Sequence, residues 1–237
     1  MPASNATFIA SIDGTRVVYK PIVGERPLWD FPDGTLAWRE VAAWHVSEAL
    51  GWNVVPHTFL GTGPHGEGMV QVWQEADPNQ YAVDIVPVGA MPEGFCHVFD
   101  GLDNRDRPVS LVHEDGAALR RMAIFDVLIN NGDRKGGHVL AMADGHRYGV
   151  DHGVSFHSEN KLRTVLWGWG GQVLEAEALE AISGLDRARS PQLAEALKQL
   201  LTGREVASFY ARVNRLCQVG RMPMPSDDWP AIPWPPF

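Results

Sequence analysis

The sequence predicts an α+β protein, with a small β-rich N-terminal part carrying one helix and a larger, mostly helical remainder. Three observations predict this. The opening segment ATFIASIDGTRVVYKP holds two β-rich runs joined by Asp13-Gly14, a dipeptide suited to a type I′ hairpin turn. The run LAWREVAAWHVSEALG, residues 36–51, has helical apolar spacing and stops at a glycine, a common residue just past a helix end. Beyond residue 170, VLEAEALEAIS, PQLAEALKQLL and REVASFYARVNRLC all read as helices.

Composition limits the functions open to such a chain. Its 237 residues are 45% hydrophobic, enough for a full core in one large domain or two small lobes. With 20 basic against 29 acidic residues, net charge −9, and no Lys/Arg cluster, it offers no footprint for nucleic acid. No run of about 18 apolar residues occurs, and MPASNATF lacks the basic and apolar regions of a signal peptide. Integral membrane association is therefore not expected. Cys96 and Cys217 are the two cysteines and lack metal-type spacing, so reduced thiols and a cytoplasmic location are expected.

Taken in order, strands are expected at about 6–12 and 15–20, then a Gly/Pro-rich loop, PIVGERPLWDFPDGT, ending at Thr35 as an N-cap. The helix follows, and GMVQVWQ supplies a third β-rich run. Residues 1–75 thus form one unit and 76–237 another. In the second, GAALRRMAIFDVLINN places Leu119, Met122, Ala123 and Phe125 or Asp126 at helical spacing,. Two short β runs, HVLAM and HRYGVD, flank Ala143-Asp144-Gly145. The tail PMPSDDWPAIPWPPF has too much proline for a helix or central strand, and its Trp229, Trp234 and Phe237 are expected on an apolar groove.

Certain residues carry chemistry. Lys20 ends a β run, and Glu40 lies in the helix with Leu36, Ala37, Ala43 and Trp44 around it. A carboxylate on an apolar face needs a cation, and Lys20 is the candidate. The stretch NNGDRKGGHVLAMADGHRYGVDHG follows a helix and holds Asp133, Lys135, His138 and Asp151 around a hairpin. That order of parts suits phosphoryl transfer: one Asp takes the acceptor's proton, a Lys two residues on neutralises the γ-phosphate, and the Asp before a glycine-containing turn holds the metal. Each short motif is weak alone, and the ordered set is more specific.

FDVLINNGDRKGGHVL with GVDHGVSF resembles the catalytic loop and metal segment of the phosphatidylinositol 3-/4-kinase superfamily, particularly its small actinobacterial members, and is also similar to HipA-type serine kinases. VVYKP with REVAAWHVSEALG resembles that superfamily's nucleotide-binding lysine and helix glutamate. The resemblance runs from about residue 4 to residue 156. It implies a bilobal protein-kinase-like fold with ATP between the lobes and Mg²⁺ or Mn²⁺ as the ion. It makes Asp133 and Lys135 catalytic, places Lys20 on the phosphates with Glu40 as its anchor, and makes Asp151 a metal ligand. Ser4, Asn5 and Ala6 would cover the phosphates, although this loop lacks glycine, and Gln71, Val72 and Trp73 would meet adenine. His138 stands where the superfamily has a metal-binding Asn, and imidazole favours softer ions than Mg²⁺. Trp167 and Trp169 lie where an acceptor-binding loop is implied. Asp126 and Asn130, one turn apart, are assigned to positioning the catalytic loop.

The leading expectation is an ATP-dependent phosphotransferase. Without a polybasic surface, its acceptor is expected to be a protein hydroxyl or a small soluble polyol rather than a lipid head group. A nucleotide-binding pseudokinase module is the alternative. A metal-dependent hydrolase built on His138, His146, Asp144, Asp151, His152 and His157 is a lesser one.

Overall fold

A computed structural model describes residues 5–226 and 228–237. Strands β1 (Phe8–Ile12) and β2 (Thr15–Pro21) form the expected hairpin. Asp13 and Gly14 both have positive φ, 48° and 82°, as a type I′ turn requires. Strands β3 (Thr58–Gly63) and β4 (Gly66–Val72) complete an antiparallel sheet of order β1-β2-β4-β3. Between the two hairpins lies helix α1 (Leu36–Leu50), closed by Gly51 at φ 67°. Thr35 does not cap it: the Thr35 hydroxyl donates to the Pro32 carbonyl. The Glu25 carboxylate instead accepts from the amides of Leu36 and Ala37, at 3.0 and 2.8 Å. A full negative charge there complements the helix dipole better than a hydroxyl does.

A second antiparallel sheet, order β5-β7-β6, follows from β5 (Val83–Pro87), β6 (Phe95–Leu102) and β7 (Pro108–Glu114). Helix α2 (Ala117–Ile129) then runs into the loop carrying Asp133, and β8 (Val139–Ala141) with β9 (Arg147–Gly149) makes the expected short hairpin. Helices α3 (Ala176–Ser183), α4 (Pro191–Leu200) and α5 (Gly203–Val219) close the larger lobe. The architecture is the bilobal kinase-like α+β fold, with the second sheet inserted ahead of α2.

The core explains what is fixed. Leu119, Met122, Phe125, Leu128 and Ile129 of α2 are fully buried, each contributing about 1.5–3 kcal/mol of burial. They join Phe156, Leu166, Trp169 and Phe209 in one cluster that also takes in Ala42, Ala43 and Val46 of α1. The first sheet has only a small cluster of its own, Val17, Tyr19 and Val70. Helix α1 is therefore rooted in the larger lobe's core while its other side supports the small sheet. In the tail, Pro233 and Pro236 are buried, whereas Trp234 is 77% exposed and Phe237 47% exposed. The prolines and one side of the Phe237 ring, which lies against Gly136, seat this segment, and Trp234 does not. Among the described residues no helix is long and apolar enough to cross a membrane.

Candidate active site

A cleft of about 450 Å³ opens between the first sheet and the β8–β9 hairpin. Val18 and Lys20 of β2 line it from one side, and His138, Leu140, Val150 and Asp151 from the other. Gln71, Val72 and Trp73 line it too, with Asn5 and Thr7. Ala6 is not a lining residue; its amide donates to the Gly24 carbonyl. Ser4 lies outside the described residues.

Lys20 is the hub. Its Nζ donates to Glu40 Oε1 and to Asp151 Oδ1, each at 2.8 Å. Burial opposes the ammonium charge, but the two carboxylates outweigh it and hold the Lys20 pKa above the ordinary lysine range. Glu40 Oε2 accepts the His152 amide at 2.8 Å, so one buried carboxylate ties β2, α1 and the Asp151 segment together. Asp151 sits at φ 63°, a left-handed conformation that Asp tolerates better than most residues. Half of its side chain is open, yet it lies deep enough that burial opposes its charge; Lys20, then His138, prevails and holds the carboxyl well below the usual range.

His138 Nε2 lies 3.5 Å from Asp151 Oδ2, and its buried Nδ1 has no hydrogen-bond partner. Burial is the main reason its pKa falls to about 4, and the Arg134, Lys135 and Lys20 charges add to it against Asp151. The ring is neutral at pH 7. One carboxylate and one neutral imidazole make a small donor set, and it fits an ion that takes its remaining ligands from phosphate and water. No group of three or more His, Cys, Asp or Glu among the described residues is arranged to hold a metal. His146 engages the Asn53 carbonyl and His157 accepts from the Glu159 amide.

Asp133 and Lys135 stand together, Oδ2 to Nζ 3.8 Å. Burial raises the Asp133 pKa against the opposing charges of Lys135 and Arg163, which makes the carboxylate a better proton acceptor. Asn131 Oδ1 accepts the Asp133 amide, and Asn130 accepts the Lys161 amide while donating to the His157 and Glu159 carbonyls.

Sequence reasoning missed Arg134. It is fully buried, donates to both oxygens of Asp126 and to the carbonyls of His138 and Val150, and reaches His152 Nε2 at 2.7 Å. A guanidinium only donates, so His152 Nε2 must accept, and the neutral ring carries its proton on Nδ1, facing Glu40,. The available signal was Asp126, a carboxylate among apolar helix positions that needs a cation. Trp169 is fully buried with Nε1 donating to Asp115, and Trp167 is half-buried with Nε1 donating to the Ala231 carbonyl.

The fold is of the kinase type. The chain superposes on the crystal structure of CtkA, a proinflammatory kinase of Helicobacter pylori, with a TM-score of 0.50 and 11% identity over 93% of this chain and 90% of that one. No protein-family model matches the chain. In sequence it is 48% identical over 248 residues to protein Rv2133c of Mycobacterium tuberculosis, covering 99% of this chain and 89% of that protein; the chain belongs to that protein's family.

Proposed function

We propose that the chain is an ATP-dependent phosphotransferase of the phosphatidylinositol-kinase-like type, acting in the cytoplasm on a protein hydroxyl or a small soluble polyol. The observation that carries this reading is Lys20 bridging Glu40 and Asp151 in the cleft, with the Asp133–Lys135 pair on the loop that precedes His138. An ammonium has three N–H groups. Two are engaged, and the third is free to meet a phosphate oxygen. Asp151 and His138 would hold Mg²⁺ or Mn²⁺, which when bound offsets the phosphate charge.

Asp133 accepts the proton of the acceptor hydroxyl as that oxygen bonds to the γ-phosphorus and the bond to the bridging oxygen breaks. Lys135 lies beside Asp133 to balance charge on the transferred group. The acidic chain disfavours an anionic lipid surface as the acceptor. One feature favours a second reading, a nucleotide-binding module without transfer: an imidazole, not an amide oxygen, faces Asp151. Incubation with γ-labelled ATP, Mg²⁺ or Mn²⁺, and protein and polyol acceptors separates the two. Label is expected on an acceptor or on the chain itself, and is expected to vanish in Asp133→Asn. Nucleotide binding with no label transferred under any of these conditions supports the module instead.

A further inference from the structure

Gln71 lies next to the end of β4, paired with Thr58 of β3. It is 4% exposed, and its side chain lines the cleft. Its Nε2 donates to Thr58 Oγ1 at 2.9 Å, and the Thr58 hydroxyl donates to the Pro56 carbonyl at 2.6 Å. The order of donors in this relay is forced. A carbonyl only accepts, so the Thr58 proton must point to Pro56, leaving Thr58 only lone pairs for Gln71. The Gln71 amide must therefore turn its NH₂ toward Thr58. No described group donates to Gln71 Oε1, so the cleft is left with a fixed, free acceptor. Just beyond, the amides of Gln74, Glu75 and Ala76 donate to no main-chain carbonyl among the described residues.

We infer that the Pro56–Thr58–Gln71 relay makes the cleft choose adenine over guanine. This rests on the nucleotide-cleft reading above and adds the residue that sets base choice. Adenine carries an exocyclic amino group that donates to Oε1. Guanine presents a carbonyl oxygen at the equivalent position, which sets two acceptors against each other and leaves a buried polar atom unpaired. Val18, Leu140 and Val150 supply apolar walls for either base, so they do not discriminate. The relay does.

Calorimetric titration with Mg·ATP and Mg·GTP tests this on wild type, Thr58→Val and Gln71→Met, each first checked for a cooperative melt. The wild type is expected to bind ATP on the order of 10- to 100-fold tighter than GTP. Thr58→Val frees the amide to rotate and is expected to bring the ratio toward one, mainly by improving GTP. Gln71→Met removes the acceptor and is expected to level the ratio by weakening ATP. Equal wild-type affinities, or a wild-type ratio kept in whichever variants fold, overturn the relay while leaving the nucleotide cleft intact. Binding of neither triphosphate overturns both.

Discussion

Lys20 shows how one residue organises the cleft, because it draws Glu40 from α1 and Asp151 from the segment after β9 onto the same ammonium. Its pairing with Glu40 was legible in the sequence, since a carboxylate among apolar helix positions demands a cation. The order Lys20, Glu40, Asp133, Asp151 was legible for a different reason: the two aspartates flank a hairpin in the order of parts that phosphoryl transfer uses,. Arg134 carries no signal of its own, and only its partner Asp126 could have pointed to it. In Asp-Arg-Lys it sits between two polar residues, and its burial depends on Asp126, the Val150 carbonyl and His152, which arrive from other segments. His138 was legible as a departure, and its neutrality follows from burial. An imidazole nitrogen suits Mn²⁺ better than Mg²⁺. Turnover is therefore expected to favour Mn²⁺, and His138→Asn, which supplies an oxygen ligand, to shift the preference toward Mg²⁺. A wild type that prefers Mg²⁺ with no gain in His138→Asn contradicts the ligand role.

At the scale of elements, α1 is bolted to the larger lobe. Arg39 on α1 donates to Glu205 on α5 at 2.5 Å, both side chains buried, and Glu205 also closes the capping box with Thr202. Glu205→Ala leaves the Arg39 charge buried and unpaired. Its cost is expected to be about 3–5 kcal/mol in urea unfolding, with weaker ATP binding as Glu40 loses its seat; a loss below about 1 kcal/mol contradicts the bolt. The tail fastens another element. The Pro236 carbonyl accepts the Gly136 amide at 2.8 Å, and a side chain at Gly136 would strike the Phe237 ring. The later helices α4 and α5 were exposed by periodicity because each buries one face, whereas α1 and α2, buried on most sides, were exposed by their length and unbroken run of helix-compatible residues. Periodicity did not expose β3, whose Gly61 and Gly63 dilute the β signal; Gly63 is needed where Tyr19 lies against it. It also did not expose the second sheet. Strand β6 has a register shift between His97 and Phe99 that breaks its alternation, and β7 opens with Pro108. Glu25 as the α1 cap is a contact from 11 residues away, which no local cap motif encodes.

For the molecule as a whole, four histidines, His45, His113, His138 and His152, are held below the ordinary histidine pKa, with burial the leading cause in each. Between the folded and unfolded pKa values, the unfolded chain binds more protons, so stability rises with pH across that window. It is full above about 6.5 and declines as pH falls toward about 4, the folded value for His138. Asp133, raised by burial, acts in the opposite direction as one group against four. The metal-free protein is expected to lose at least about 2 kcal/mol between pH 7 and pH 5, measured by urea unfolding. Stability that is flat or higher at pH 5 contradicts this. We propose that the two lobes enclose a nucleotide–metal cleft in which Asp151 serves binding and Asp133 serves transfer. The most direct measurement is calorimetric titration of ATP with Mn²⁺ into wild type, Asp133→Asn and Asp151→Asn. Wild type and Asp133→Asn are predicted to bind within about two-fold of each other, and Asp151→Asn at least about ten-fold more weakly. Equal losses in both variants, or no binding by the wild type, contradict the account.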